Sequence, residues 1–362
     1  MRIGSVTVDL LKVPLERAYM AGGRRIEAYW HVLARLRTTD GIEGFGYVVM
    51  LNAPLVGPLA QATRELGEQL IGMHVQEPEA AWAKLTRAAN WAGPGGFIHH
   101  AVAPLDIALW DAAGKAAGQP LWRLLGGARD RVPTYASDNL WYSLSLEELA
   151  ESAQRHVADG FNAMKLRIGR EATPQGEVAR VEAVRQAVGE GIRIMVDATE
   201  TWQANQALRT GRALQDAGIH WLEDPVNHQD LEGMGRLVSQ LHVPIATGEH
   251  LYTLHEYAEL FRARGAGVAI IDLARVGGIT PWRRVAALAQ AHNIPVCGHV
   301  LPEVHVQLLA AVPNGDLAEY VPRSEGILRA MPRLEKGQMI APKAPGLGLE
   351  LDMAAVERCR VA

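Results

Sequence analysis

Two cations and a series of carboxylates carry the chemistry this sequence offers. Lys165 and Arg167 stand two residues apart in FNAMKLRIGR (161–170), so an extended chain turns both to one face. Such a pair is either solvated surface charge or one wall of a site that receives an anion. Asp197, Glu223 and Glu249 follow at intervals of 26 residues. Three carboxylates brought together repel one another unless a hard divalent cation neutralises them. An oxygen-only set, with no Cys or His, favours Mg²⁺ over zinc. Asp272 and His299 come about one interval further on. A carboxylate that holds an imidazole N–H fixes its tautomer and raises its basicity, as a general base requires. Glu319 closes the series and, where burial keeps it protonated, can donate a hydrogen bond to a developing oxyanion. Taken singly, each carboxylate reads most simply as a helix N-cap or a solvated loop residue. Their shared spacing is what argues for convergence.

The elements around them explain that spacing. Short apolar runs recur at VPTYA (132–136), NAMKLRI (162–168), IRIMVDA (192–198), IHWLEDP (219–225), VPIATGE (243–249), VAIIDL (268–273), IPVCGH (294–299) and DLAEY (316–320). Amphipathic segments such as LEELAESAQRHVADG and PWRRVAALAQAHN separate most of them. Strands alternating with helices in this way predict an α/β fold, a (β/α)8 barrel of TIM type with a doubly wound open sheet as its rival, and the residues named above end the strands. The C-terminal strand ends of such a barrel share one mouth. Residues 1–50 alternate like a small antiparallel meander, and helical spacing takes over to the stop at Gly118-Gln119-Pro120. The reading is an α+β capping domain over 1–128, a barrel over 129–325, and a segment over 326–362 that returns to the cap.

Composition narrows the partners. The chain has 362 residues, 48% hydrophobic and 21% charged, with a formal net charge of −4. That balance makes no general case for nucleic acid or an anionic membrane. No apolar run reaches membrane-spanning length, the start does not read as a signal peptide, and a cytoplasmic location is expected. Cys297 and Cys359, without a CxxC pattern, suggest neither a disulfide framework nor a thiolate metal site.

At this point the sequence closely resembles the enolase superfamily, and within it the mandelate racemase subgroup. APLDIALWDAAGKAAGQPLWRLLGG is similar to the cap helix of that family and PGLGLELD to its C-terminal return. Asp197, Glu223 in LEDP and Glu249 in ATGEH match its three Mg²⁺ ligands. His299 with Asp272 matches its His-Asp dyad, and Glu319 its final-strand hydrogen-bond donor. The resemblance implies a (β/α)7β barrel, a small-molecule carboxylate substrate, removal of the proton α to that carboxylate, an enediolate stabilised by the metal and Lys165, and a homo-oligomer, often an octamer. The subgroup commonly carries Lys-x-Lys on the second strand, where this chain has Arg167. A guanidinium is a poor base at neutral pH, so one competent acid/base remains. One is enough for syn β-elimination, and an acid-sugar dehydratase is the leading expectation; a racemase, an epimerase and a sugar-lactone cycloisomerase are the alternatives. DATETW replaces the more frequent Asn-bearing turn after Asp197. AYMAGGRRIEAYW (18–30) reads either as a hairpin with solvated charges or as a lid offering Arg24 or Arg25 to substrate. SDNLWYS, with Asp138, Asn139, Trp141 and Tyr142, and His250 are further candidates for the pocket wall.

Overall fold

Alternation at the start of the chain becomes a three-stranded antiparallel sheet, β1 (Ile3–Ala21), β2 (Arg24–Thr38) and β3 (Glu43–Leu51). The structure is a computed structural model that describes residues 1–21, 24–51 and 54–361, without the side chains of 17, 21 and 24. Helices α1 (Val56–Glu68), α2 (Pro78–Ala88) and α3 (Gly96–Ala116) complete the cap. Every residue of α3 from Ala101 to Gly114 is buried, as expected of a helix that is apolar all round and therefore central. Its approach to β3 depends on glycine. A Cβ on Gly44 would lie 2.3 Å from the Ala108 carbonyl oxygen, and one on Gly46 2.4 Å from that of Pro104.

After the short helix α4 (Leu121–Leu124), the barrel begins at β4 (Arg131–Ala136). It continues through α5 (Leu146–Ala158), β5 (Ala163–Arg167), α6 (Pro174–Val188), β6 (Arg193–Asp197), α7 (Ala204–Asp216) and β7 (Leu222–Glu223). Next come α8 (Leu231–Gln240), β8 (Ile245–Thr247), α9 (Leu254–Arg262) and β9 (Val268–Asp272). The one-turn α10 (Leu273–Val276), α11 (Ile279–Ala291), β10 (Val296–His299), α12 (Pro302–Ala311) and β11 (Ala318–Tyr320) finish it. The strands pair in parallel in chain order from β4 to β10, β11 returns to pair with β4, and a bridge from Val296 to Gly315 closes the ring. This is the expected (β/α)7β barrel. Capping boxes start α5 (Ser145 with Glu148) and α9 (Thr253 with Glu256), satisfying backbone N–H groups that the first helical turn leaves open.

Buried aspartates on α3 join the cap to the barrel (Asp106) and to the C-terminal tail (Asp111). Asp106 accepts from the backbone N–H (2.9 Å) and hydroxyl (2.6 Å) of Thr280, in the first turn of α11. Asp111 accepts from Phe45 N in β3 at 3.0 Å, and from Leu347 N at 2.9 Å. The tail differs from the sequence reading in one respect. After Gly326 packs against Val13 of β1, it forms a hairpin, β12 (Leu334–Glu335) and β13 (Gln338–Ile340), and β13 pairs with the first residues of β4. It then docks on the cap again, through Leu347 and α13 (Met353–Cys359) beside β1.

Candidate active site

Side chains alternate across a strand, so the residue two before each mouth residue points to the same interior. In this barrel those earlier residues are apolar and form the floor: Tyr135, Ala163, Met195, Trp221, Ile270, Cys297 and Leu317 pack in one buried cluster. Two positions on, the same faces carry Ser137, Lys165, Asp197, Glu223, Asp272, His299 and Glu319. The sheet therefore delivers seven polar groups to one layer by register alone. Glu249 is the exception, since the strand-phase position on β8 is Gly248. Its φ of +125° and an absent Cβ, which would lie 2.8 Å from Ile270 O, let the chain turn so that Glu249 follows.

Lys165 is fully buried at the centre. Its ammonium bonds Glu223 Oε1 and lies 3.0 Å from Glu319 Oε1 and 3.8 Å from Asp197 Oδ2. Burial alone would depress its pKa; Glu223 and Glu319 outweigh that and hold it above the usual lysine range. Trp221 Nε1 donates to Glu223 Oε2 at 3.0 Å. Burial pushes the Glu223 carboxyl up, Lys165 opposes this, and Asp197 and Glu249 add repulsion. Asp224 is likewise pushed up by burial and by Glu249.

Arg167, also buried, donates from Nη1 to the carbonyl and hydroxyl oxygens of Ser137, both at 2.9 Å, and its Nε lies 3.2 Å from Asp197 Oδ2. Its plane rests on Trp141, 4.9 Å from the ring centre, and Tyr19 of the cap stacks on that ring at 5.4 Å. Its donors and its face are committed, and it is a permanent cation.

Asp272 and His299 are register partners on β9 and β10. Asp272 Oδ2 lies 2.5 Å from His299 Nδ1, and Oδ1 accepts from Arg275 N at 2.8 Å. One carboxylate thus both caps α10 and orients the imidazole. Burial would lower the His299 pKa, but Glu249 and Asp272 raise it to about 9. His299 Nε2 faces Glu249 Oε1 at 3.5 Å. The next residues, Val300 (φ 56°) and Leu301 (φ 46°), take left-handed conformations, which are strained for a β-branched side chain. Three contacts impose this turn. Val300 N donates to Glu319 Oε2 at 2.9 Å, the Val300 carbonyl lies 2.6 Å from His305 Nδ1, and Tyr47 of the cap donates to Glu303 at 2.5 Å. The turn that aims His299 is therefore held partly from the cap.

Glu319 is bound at both carboxylate oxygens. It takes donors from Ser137 Oγ (2.6 Å), Val300 N and Lys165. Burial pushes its pKa up, yet Lys165, His299 and Arg167 bring it well below the usual carboxylate range. In this arrangement it accepts from Ser137, Val300 and Lys165.

Oxygen donors able to hold a hard cation come from the ends of β6, β7 and β8. Glu249 Oε2 is buried with no hydrogen-bond partner among the described residues, and burial first, then mutual repulsion, raises Glu223 and Asp224, a cost that a divalent cation relieves. The Asp197, Glu223 and Glu249 trio is more open than two neighbouring triads, Asp224-Glu249-His250 and Glu200-His228-His250, whose donor atoms meet within 4.8 Å. His250 lies 3.4 Å from Asp224 and 3.8 Å from Glu249. Asn139 is exposed and lines, with Tyr19, Tyr29, Asp138 and Trp141, a cleft of about 550 Å³ between the cap hairpin and the loop after β4. Arg24 begins β2, and its side chain lies outside the described residues. Ser137, Glu200, His228 and Arg275 were missed by the sequence reading. Each lies within five residues beyond a strand-end run, the signal that could have found them.

A barrel with this carboxylate and His-Asp mouth under an α+β cap defines a class. Residues 148–355 match the enolase C-terminal domain-like family, and residues 6–126 the mandelate racemase / muconate lactonizing enzyme N-terminal domain. The chain belongs to the enolase superfamily, in its mandelate racemase subgroup. It is 33% identical over 361 residues to a 3,6-anhydro-alpha-L-galactonate cycloisomerase of Streptomyces coelicolor, covering 99% of both chains. To the L-talarate/galactarate dehydratase of Salmonella typhimurium it is 31% identical over 347 residues, covering 95% of this chain and 87% of the other. The L-talarate dehydratase of Polaromonas sp. JS666, solved with Mg and L-glucarate, superposes with a TM-score of 0.93 at 31% identity, covering 100% and 98%. No helix among the described residues is long and apolar enough to cross a membrane.

Proposed function

We propose that this protein is a Mg²⁺-dependent dehydratase of a hydroxylated sugar acid, an aldonate or aldarate, with His299 as its single acid/base. The observation that carries this reading is the asymmetry of the site. One imidazole, oriented by Asp272, faces the carboxylates from β10, whereas on β5 a guanidinium with committed donors stands where a second base would be needed.

Asp197, Glu223 and Glu249 would hold Mg²⁺, which when bound supplies a Lewis acid for the substrate carboxylate and so acidifies the α-carbon. His299 Nε2 takes the proton from C2. Lys165 places a fixed positive charge beside the oxygen on which negative charge develops. Glu319 holds Lys165 and, through Val300, the turn that aims His299. The imidazolium then returns its proton to the C3 hydroxyl, the C3–O bond breaks, and water departs. The resulting enol tautomerises to a 2-keto-3-deoxy acid. One group on one face serves both proton transfers, so the elimination is syn.

The dehydratase relatives support this reading, and the cycloisomerase at 33% identity favours a second one: the same proton abstraction followed by ring opening of an anhydro sugar or lactone. Incubation with Mg²⁺ and a panel of aldonates and aldarates separates the two. Semicarbazide-reactive 2-keto-3-deoxy product is expected. Consumption of anhydro or lactone substrates alone, with none of the acid sugars dehydrated, would overturn the dehydratase.

A further inference from the structure

Beyond the strand-end layer stands an outer rim on the same four strands. Glu200, His228, His250 and Arg275 follow Asp197, Glu223, Glu249 and Asp272 within a few residues. Glu200 accepts from His228 Nδ1 (2.7 Å) and from the His228 backbone N–H (2.6 Å), and the His228 ring stacks on His250 at 5.4 Å and 23°. Arg275 Nη1 lies 2.9 Å from His250 Nδ1. Arginine only donates, so this nitrogen accepts, and the His250 proton sits on Nε2, towards Asp224 and Glu249.

Arg275 is unlike the other two cations of the mouth. Lys165 is tied to Glu223 and Arg167 to Asp197; Arg275 is partly exposed and has no ion pair with a carboxylate among the described residues. Its place is nevertheless fixed. The backbone N–H is bound to Asp272, the carbonyl oxygen lies 3.0 Å from His99 Nδ1 of the cap, and the guanidinium lies 5.9 Å over the Tyr252 ring. A pre-positioned guanidinium with one N–H directed at His250 Nδ1 and further N–H groups to spare is a receptor for a carboxylate.

Resting on the acid-sugar reading above, we propose that Arg275, supported by His250 and Tyr252, binds the distal carboxylate of the substrate, which makes that substrate an aldaric acid in preference to an aldonic one. The test compares pairs that differ only in the oxidation state of C6: galactarate with galactonate, and D-glucarate with D-gluconate. Both kcat/KM and, by calorimetry with Mg²⁺ present, Kd are measured for wild type, Arg275→Gln and Arg275→Lys. The diacid is expected to be preferred by wild type, and Arg275→Gln to shrink the diacid-to-monoacid ratio by about 10- to 100-fold, the value of a charge-assisted hydrogen bond. Arg275→Lys should retain part of the preference, and it serves alone if the Gln variant does not fold. An unchanged ratio with both substrates weakened equally would overturn the assignment, leaving Arg275 as a support for Asp272. So would a wild-type preference for the monoacids. If no acid sugar is dehydrated, the function reading falls, and the ratio of Kd values still decides the site.

Discussion

Replacing Arg167 by Lys restores the Lys-x-Lys pattern common in the subgroup and asks directly what the guanidinium does. Arg167 makes two hydrogen bonds to Ser137 and one contact to Asp197, and is flanked by Trp141. A lysine ammonium is a single point charge on a thinner stem; it can keep the Asp197 contact but not the two-pronged grip on Ser137 or the stacked face. Charge-assisted hydrogen bonds are worth about 1.5–3 kcal/mol each, and a buried carbonyl left unpaired carries its own penalty, so the variant should lose about 2–4 kcal/mol of stability. That leaves a folded protein if total stability lies in the usual range of about 5–15 kcal/mol. The chemical effect is the more telling one. Unlike arginine, lysine can lose its proton at accessible pH, which places a second base across from His299. Substrate recovered from partial turnover in D₂O, analysed by proton NMR and chiral separation, should be unepimerised with wild type. With Arg167→Lys it should contain the C2 epimer, in a proportion that rises with pH as the amine deprotonates. Epimerised substrate from the wild-type enzyme would refute the single-base reasoning, as would faster dehydration by the variant with no epimer formed.

His299→Asn keeps shape but removes the acid/base, and turnover should fall by about 10²- to 10⁴-fold while Mg²⁺ affinity, read by calorimetry, stays comparable. The His299 pKa of about 9, against 6.5 ordinarily, owes its rise first to Glu249 acting against burial. Mg²⁺ on Glu249 should therefore move it down in an NMR titration, and kcat/KM should climb with pH through the lowered value as the neutral imidazole forms; a pKa indifferent to Mg²⁺ would place the ion elsewhere. The sign for metal-free stability follows: a histidine raised in the fold stabilises fully below about 6.5, and that contribution is lost as pH rises through about 9. Asp106→Ala removes two acceptor contacts from Thr280 and should cost about 2–4 kcal/mol in urea unfolding; a change below about 0.5 kcal/mol would mean that the contact does not join cap to barrel.

The strand-end residues were legible because β-strand phase and the βα repeat are both periodic. Even β7, only two residues long, was locatable from IHWLEDP. What periodicity cannot show is how charges settle once together. One sequence position does not reveal that Lys165, Ser137 and Val300 all donate to Glu319. The left-handed turn at Val300 and Leu301 was illegible because neither residue type favours it; contacts distant in sequence impose it. Arg275 was passed over because a charge after a strand end ordinarily reads as solvated. The tail hairpin on β4 is too short to stand out from the surrounding Pro- and Gly-rich sequence.

Asp111 has a consequence for how the molecule is made. It is buried within the N-terminal third of the chain, yet one of its acceptor oxygens is bound by Leu347 N, 236 residues later. A ribosome delivers the α3 segment long before that partner exists. Until Leu347 emerges, the carboxylate must stay hydrated or lie buried without its full set of donors, at a cost of about 1–3 kcal/mol. The α3 region of the cap is therefore fully satisfied only after Leu347 has been synthesised, a long-range dependence that favours late completion of this part of the fold.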